Sequence, residues 1–445
     1  MSGGWSSMPS IPLSEGACAP ASERRATLFA LVDVNNFYAS CERLFEPRLE
    51  GVAVVVLSNN DGCIIARSQE AKDLGIPMGE PVHKVKDVLR RERVRVYSSN
   101  YALYGDLSGR VVSVLKRFTP YLEVYSIDES FLDLGGFADP AAHSHDIKDT
   151  VLRWTGLPVS VGVGATKTLA KVANRIAKKD PALGGVFIMP DDPDEVLGDL
   201  NADAVWGIGR RLAARLDKIS ITTALDLKNA DAKFIRARLG VVVERTVLEL
   251  RGTPCLALEM TVPAQKGIMV SRGFSRRVTD YRDIEAAVTT YASRAAEKLR
   301  RQGLSTNKMT ISLRTSPFSP APERYANTAG FVFPEATSDT TDMIKAARHC
   351  LKKIYKPGLR YQKAGVFLDA LEDARRIQRG LFPPPGTDPD KSRALMKAID
   401  RINADWGRNT VRFAVTGMQR SWAMKQNRKS PCYTTRWQDL KQVGG

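Results

Sequence analysis

Asp33, Asp128 and Glu129 are the side chains of this sequence best suited to do chemistry. Asp33 falls at the end of the short apolar run TLFALVDV, and Asp128 and Glu129 lie between YLEVYSI and SFLDL, which read as the arms of a hairpin. A buried strand end and a hairpin bend can bring three carboxylates to one place, and three hard oxygen ligands of this kind suit magnesium. Two such ions can activate a 3′-hydroxyl, support a leaving pyrophosphate and clamp the phosphate during in-line attack. That chemistry depends on positioning and electrostatic stabilisation more than on a protein nucleophile. Each acid alone reads more simply as a strand cap or a turn residue; the combination points to a site.

The elements that must position these acids follow from the hydrophobic period. TLFALVDV has strand length, NNFYASCERLFEP carries Phe37, Cys41 and Leu44 at near-helical spacing, and Pro47 closes that helix. VAVVVLS (52–58) has a buried-strand pattern and VSVGVG (159–164) reads as another strand, whereas RVVSVLKRF (110–118) and the basic, amphipathic KTLAKVANRIAKK read as helices. Strands and helices thus alternate around a mixed sheet. Beyond Pro190, helix formers rich in Ala, Leu and Arg predict a small helical domain. Strand-like IMVSRGFSRRV, KMTISLRTS and KAGVFLDAL, with the helical DIEAAVTTYASRAAEKLRRQ among them, predict an α+β module. QRGLFPPPGTDPDKS is too rich in Pro and Gly to pack and reads as a linker. Residues 1–26 show no sustained period and read as a flexible extension.

The chain has 445 residues, enough for two to four domains. Its 66 Lys and Arg against 49 Asp and Glu leave a formal charge of +17, which points to a polyanionic partner such as nucleic acid. No run approaches the roughly 18 apolar residues of a membrane helix, so a cytosolic place and no membrane partner are expected. Six scattered cysteines and four histidines suggest neither a disulfide frame nor a zinc site.

DVNNFYASCE followed by YSIDESFLDL resembles the catalytic signature of the Y-family DNA polymerases, and especially that of their UmuC branch, the catalytic subunits of DNA polymerase V. The resemblance extends from about Thr27 to Leu440. It implies an α+β multidomain right hand: a ferredoxin-like palm (27–44 and 101–192), small fingers (45–100), a helical thumb with a helix-hairpin-helix (193–256) and an α+β little finger (262–370). A linker (371–388) and a UmuC-type carboxyl-terminal region (389–445) complete the chain. The implied activity is error-prone translesion synthesis, with small fingers and an open site admitting distorted template bases. By the same resemblance Asp33, Asp128 and Glu129, with the carbonyl of Val34, bind two Mg2+ ions.

The resemblance also implies a nucleotide site. Tyr38, five residues after Asp33 and beside Phe37, takes the place of an aromatic steric gate that would clash with a ribose 2′-hydroxyl. Lys72, in SNNDGCIIARSQEAKDLGIPMG, stands where relatives usually carry an Arg on the triphosphate, with Arg67 as a further candidate. Gln69 replaces the more common Tyr of that segment. Lys178 matches the phosphate-binding lysine of the family, while Lys167 and Lys171 on the same helix read as folding or backbone contacts. For primer-template DNA, VWGIGRRLAARL (205–216) has a helix-hairpin-helix pattern in which Gly207 and Gly209 permit a tight turn that presents backbone N–H groups to phosphate. Arg272, Arg276 and Arg277 fall where the little-finger sheet is laid along the duplex.

Gln378, Leu381 and Phe382 have the spacing of a sliding-clamp-binding peptide. The carboxyl-terminal segment interleaves Trp422, Tyr433 and Trp437 with Lys425, Arg428, Lys429 and Arg436, a pattern that suits base stacking or protein docking as well as a small aromatic core. Through the resemblance it implies a UmuD′-type dimer and a RecA filament as partners in the SOS response, in the bacterial cytoplasm at the nucleoid. Two other readings use the same features: a catalytically silent scaffold that recruits clamp and filament, and a palm-type nucleotide cyclase. Intact acids argue against the first, and a cyclase has no use for a helix-hairpin-helix or a clamp peptide.

Overall fold

The computed structural model describes residues 27–261, 264–376, 388–418 and 420–440. The expected extension 1–26 and the peptide Gln378, Leu381 and Phe382 lie outside the described residues. Twelve strands are described: β1 Phe29–Val34, β2 Val54–Leu57, β3 Ile64–Arg67, β4 Arg95–Ser98, β5 Leu122–Val124, β6 Glu129–Asp133, β7 Val159–Gly164, β8 Val186–Ile188, β9 Gly267–Val278, β10 Leu304–Thr315, β11 Ala326–Thr337 and β12 Tyr361–Asp373. They form three sheets. Backbone contacts divide the chain into two compact units, one comprising the chain up to Asn35 with Leu107–Met260, the other Asn36–Asp106 with Thr261–Gly445.

The first unit is built on a five-stranded sheet of order β5-β6-β1-β7-β8, antiparallel except for the parallel β7–β8 pair. Every residue of β7 is buried, Ser160 included. Helices Pro140–Thr155 and Lys167–Lys179 pack on it. Gly162 and Gly164 allow the second of these helices to lie unusually close: a Cβ on Gly162 would stand 2.0 Å from the backbone nitrogen of Asn174, and one on Gly164 2.8 Å from the Cβ of Leu169. Asn174, itself buried, donates to the carbonyls of Leu31 (3.2 Å) and Ser160 (2.8 Å), pinning the helix to β1 and β7 together. Beyond the sheet, helices Arg210–Asp217, Ala224–Asn229, Ala232–Leu239 and Val241–Leu250 share a core with helix Lys167–Lys179 that includes Leu169, Val172, Leu216, Leu227, Ile235 and Val247.

In the second unit β3-β2-β4 make a small sheet, and β11-β10-β12-β9 a larger antiparallel one. Helices Tyr281–Arg301 and Thr340–Ile354 pack on the larger sheet around Val288, Tyr291, Met309, Ile311, Met343 and Val366. Neither β11 nor helix Thr340–Ile354 is among the elements expected from the sequence, and the strand of KMTISLRTS ends at Thr315, with Phe318 exposed beyond it. Among the described cysteines all five are free thiols: Cys41, Cys350 and Cys432 buried, Cys63 and Cys255 half-buried.

Candidate active site

β1 and β6 run antiparallel in a register that sets Asp33 directly opposite Glu129. Directly paired residues project to the same face of a sheet, with Cβ atoms about 5 Å apart. Asp128 immediately precedes β6, and its carbonyl accepts the N–H of Val34 at 2.9 Å, so all the expected acids converge on one end of the β1–β6 pair. The turn that delivers them is organised by Ser126. Its hydroxyl donates to Asp128 Oδ1 (2.6 Å) and accepts the N–H groups of Glu129 (3.1 Å) and Asp128 (3.3 Å), while Tyr125 and Ser126 both donate their N–H groups to the Glu129 carbonyl.

Two lysines from the closely seated helix face this cluster. Lys178 Nζ is 2.5 Å from Asp33 Oδ1, and Lys171 Nζ is 2.8 Å from Glu129 Oε1. Lys171, Asn174 and Lys178 occupy one helix face by their i, i+3, i+7 spacing, so the asparagine that fixes the helix also aims the lysines. Lys171 lies over the rings of Tyr125 (4.6 Å) and Trp206 (5.2 Å), an attraction between cation and ring quadrupole. Lys167 is different in kind. It is buried, paired with the buried Glu123, and donates to the Ala257 carbonyl at 2.8 Å, while Glu123 also accepts the Glu259 N–H. Of the two readings open to it, Lys167 takes the folding one.

Like charges directly opposite one another in a sheet repel. Burial, the largest effect, pushes the Asp33 carboxyl from 3.8 up to about 6; Lys178 opposes that rise, and the charges of Glu129 and Asp128 add to it. The charged form of Asp33 is therefore held at a cost, chiefly of burial, even with Lys178 in place. Among the described residues no three His, Cys, Asp or Glu side chains already converge as a metal cage, because each of these carboxylates is turned to a lysine or to Ser126. The donor set nonetheless fits a hard divalent cation: oxygen ligands only, on adjacent strand ends, with a carboxylate whose charge is raised in energy by burial.

Because the folded value lies above the unfolded one, Asp33 contributes stability that is present below pH 3.8 and is lost as pH rises through about 6. In metal-free buffer Asp33→Asn is expected to be more stable than the parent chain at pH 7.5, by about 1–3 kcal/mol, and to lose the advantage near pH 4. Urea unfolding at the two pH values checks this; a variant less stable than its parent at pH 7.5 would mean that the Lys178 pair outweighs burial.

In the second unit, β2 and β3 lead into the short helix Gln69–Asp73, where Lys72 is exposed. The Arg67 guanidinium is turned to the Ile76 carbonyl and closes that loop. Helix Phe37–Phe45 starts from Asn36 in the left-handed region (φ 52°), a conformation that asparagine tolerates. Phe37 is buried, and the half-buried Tyr38 ring is stacked on Tyr104 at 4.4 Å and 16°. In the first unit Gly207 adopts φ +87°, a value that demands glycine, and Gly209 is the N-cap of helix Arg210–Asp217, with Ile208 buried between them.

The three expected DNA-binding arginines are not alike. Arg276 and Arg277 are exposed, near Asp283 (3.5 Å) and Ser319 (3.2 Å). Arg272 shares the strand parity of Ile268, Val270 and Phe274, which puts it on the helix-covered side of the sheet, with its Nη1 3.8 Å from Met424 Sδ. Arg276 has the same parity but lies past the register shift of β9, where it is exposed. The expectation for the carboxyl-terminal aromatics also divides. Trp422 is buried in the core of the larger sheet and Tyr433 stacks on Phe45, whereas Trp437 is exposed. Ser126, Asn174 and Gly162 escape sequence reasoning altogether; the one available signal was the placement of Asn174 between two lysines on a single helix face.

Comparison with known proteins gives the family. Residues 32–175 match the impB/mucB/samB family, 265–381 match the impB/mucB/samB family C-terminal domain, and 393–443 match a domain of unknown function, DUF4113. Protein UmuC of Salmonella typhimurium is 46% identical over 94% of this chain and 100% of its own length, and Protein ImpB of the same organism is 43% identical over 93% and 99%. In fold, the chain superposes with a TM-score of 0.61 on a Y-family DNA polymerase chimera, Dbh-Dpo4(243-245)-Dbh, at 21% identity over 77% of this chain and 98% of that one. The chain accordingly has the right-hand fold of these polymerases and belongs to the impB/mucB/samB family as a UmuC-like Y-family DNA polymerase.

Proposed function

We propose that this chain adds deoxynucleotides to a primer opposite damaged template, as an error-prone translesion polymerase of the SOS response, with Asp33, Asp128 and Glu129 as its catalytic carboxylates. The observation that carries the reading is the pairing of Asp33 with Glu129 across β1 and β6, with Asp128 at the adjoining turn. These acids and the Val34 carbonyl would hold two magnesium ions, which when bound supply activation of the 3′-hydroxyl and support for the leaving pyrophosphate.

The remaining work falls to the residues of the chain. Lys178 and Lys72 offer cations to the triphosphate, with Arg67 held in reserve by its loop contact. Lys178 also screens Asp33 when no nucleotide is present. Tyr38, braced on Tyr104 and adjoining Phe37, excludes a 2′-hydroxyl. Gly207 and Gly209 expose backbone N–H groups to a template or primer phosphate without reading sequence, and Arg276 and Arg277 add charge along the duplex. The sliding clamp at Gln378, Leu381 and Phe382, a UmuD′-type dimer and a RecA filament complete the partners. The place of action is the bacterial cytoplasm, at the nucleoid; among the described residues no helix is long and apolar enough to cross a membrane.

Primer extension across an abasic template site, with magnesium and with or without the clamp, UmuD′-type and RecA partners, tests the reading. Extension past the lesion is expected, increased by the partners; DNA binding without extension under every condition would leave a scaffold. Tyr38→Ala should raise the ratio of ribonucleotide to deoxynucleotide incorporation at least about a hundredfold, as expected when a steric rejection is removed. Gel-resolved single-nucleotide addition reads that ratio, and an unchanged one sinks the gate assignment.

A further inference from the structure

The segment Ser421–Tyr433, inside the domain of unknown function, runs across the second unit and is bonded along almost its whole length. At its start Trp422 is buried among the little-finger helices, edge-on to Tyr291 at 5.8 Å, and Ser275 of β9 donates its N–H to the Trp422 carbonyl (3.2 Å) and its hydroxyl to that of Ser421 (3.2 Å). The segment then meets the small β3-β2-β4 sheet. Lys425 N–H donates to Asn60 Oδ1 (3.0 Å), and Asn427 N–H donates to Asp61 Oδ2 (3.2 Å). Ser98 at the end of β4 exchanges two bonds with Arg428, one in each direction, both 3.0 Å. Asn60 also donates to the Gly273 carbonyl at 3.2 Å, so one side chain holds β9 and the segment together.

The far end reaches the helix that carries Tyr38. The fully buried Asn100 donates to the carbonyl and the hydroxyl of Ser430, each at 3.0 Å, and to the Pro431 carbonyl at 3.1 Å. Ser430 passes its proton bond on to Glu42 Oε1 (3.0 Å), which accepts the Tyr104 hydroxyl at 2.6 Å as well. Glu42 lies four residues after Tyr38, on the same helix face, and the Tyr104 ring so anchored is the one on which Tyr38 is stacked. Tyr433 closes the path by stacking on Phe45 at 4.7 Å, at the end of the same helix. Burial of Glu42 pushes its carboxyl up to about 7, and the bonds from Tyr104 and Ser430 oppose that rise, so this acid depends on the segment for part of its solvation.

We propose that Ser421–Tyr433 is a positioning strap for sugar selection: through the buried path Ser430–Glu42–Tyr104 it holds the ring on which Tyr38 rests, making the carboxyl-terminal domain part of the specificity apparatus. The proposal rests on Tyr38 being the sugar gate. An aromatic gate discriminates only if it cannot yield, because a ring that gives way by a fraction of an ångström admits an extra hydroxyl. The strap supplies that stiffness, and Ser430, Glu42 and Tyr104 act through Tyr38 without touching the nucleotide.

Single-nucleotide incorporation with the full chain, undamaged primer-template and magnesium tests this, comparing kcat/KM for a ribonucleotide with that for its deoxynucleotide. Tyr104→Phe keeps the ring and removes its anchor; Ser430→Ala removes the bond from the strap; Ser430→Thr keeps a hydroxyl. The first two are expected to raise the ribonucleotide share about fivefold, the effect of losing one buried hydrogen bond, and Ser430→Thr to restore the parent ratio. In a Tyr38→Ala background neither should add anything further, since the step they support is already gone. Unchanged ratios in Tyr104→Phe and Ser430→Ala, alongside a changed ratio in Tyr38→Ala, would overturn the strap and leave the gate. An equal loss for both sugars would also overturn it, reducing the segment to a brace for folding. An unchanged ratio in Tyr38→Ala would instead remove the gate itself, and the strap with it.

Discussion

Asp128→Asn is expected to lower kcat for nucleotide addition by at least about 10³-fold while leaving affinity for primer-template DNA within about threefold. The amide is nearly isosteric and retains an oxygen that can accept the Ser126 hydroxyl, so the turn before β6 should survive. What disappears is a negative charge beside Asp33 and Glu129, and with it a hard ligand for a divalent ion. Binding to DNA draws on cations and backbone groups elsewhere, so it should be indifferent to this change. Rapid-quench extension and fluorescence anisotropy at one fixed salt concentration separate the two quantities. Loss of both together would make Asp128 a structural residue of the turn and shift the chemistry to the remaining pair.

The second large effect is on stability. Gly162→Ala should destabilise the palm by about 3 kcal/mol or more, at the severe end of overpacking, because the added methyl meets backbone atoms of Asn174 (2.0 Å) and Ala170 (2.5 Å) that cannot rotate away. The helix would have to move off β7, and the Asn174 bonds to Leu31 and Ser160 would stretch with it. Since that helix carries Lys171 and Lys178, activity should fall before the chain unfolds. Denaturant unfolding at 25 °C with parallel extension assays would register both; full stability in the variant would show that the helix can slide without cost.

The palm was readable because its signals were local. Asp33 ends an apolar run of strand length, VSVGVG and KTLAKVANRIAKK coincide with β7 and helix Lys167–Lys179, and the pair Asp128–Glu129 sits at the hairpin turn that its flanks foretold. Cross-strand register was not readable, since nothing in either segment alone says that Asp33 faces Glu129 rather than Ser130. β11 escaped because half of its residues are exposed and its apolar residues Phe331, Val332 and Phe333 are consecutive in the sequence, and an edge strand needs little apolar content to join a neighbour already formed. Arg272 differs from Arg276 and Arg277 in exposure, which the composition of IMVSRGFSRRV does not reveal. Trp422 and Tyr433 could have served stacking or a core with the same sequence pattern, and only long-range packing against residues hundreds of positions away decides between them.

The buried Lys167–Glu123 pair bears on how the charge of this protein should be counted. A polyelectrolyte partner gains affinity by shedding its condensed counterions to cations that can reach its phosphates, and the steepness of binding against salt measures how many do. Lys167 is enclosed with its own carboxylate and with the Ala257 carbonyl, so it is invisible to that exchange. Lys171 and Lys178, on the same helix, are engaged with acids of the site until something replaces them. The 66 Lys and Arg therefore overcount the cations within reach of DNA, while the formal +17 is unaffected because each pair already sums to zero, and a helix that appears in the sequence as one basic ridge holds lysines that answer to three different environments.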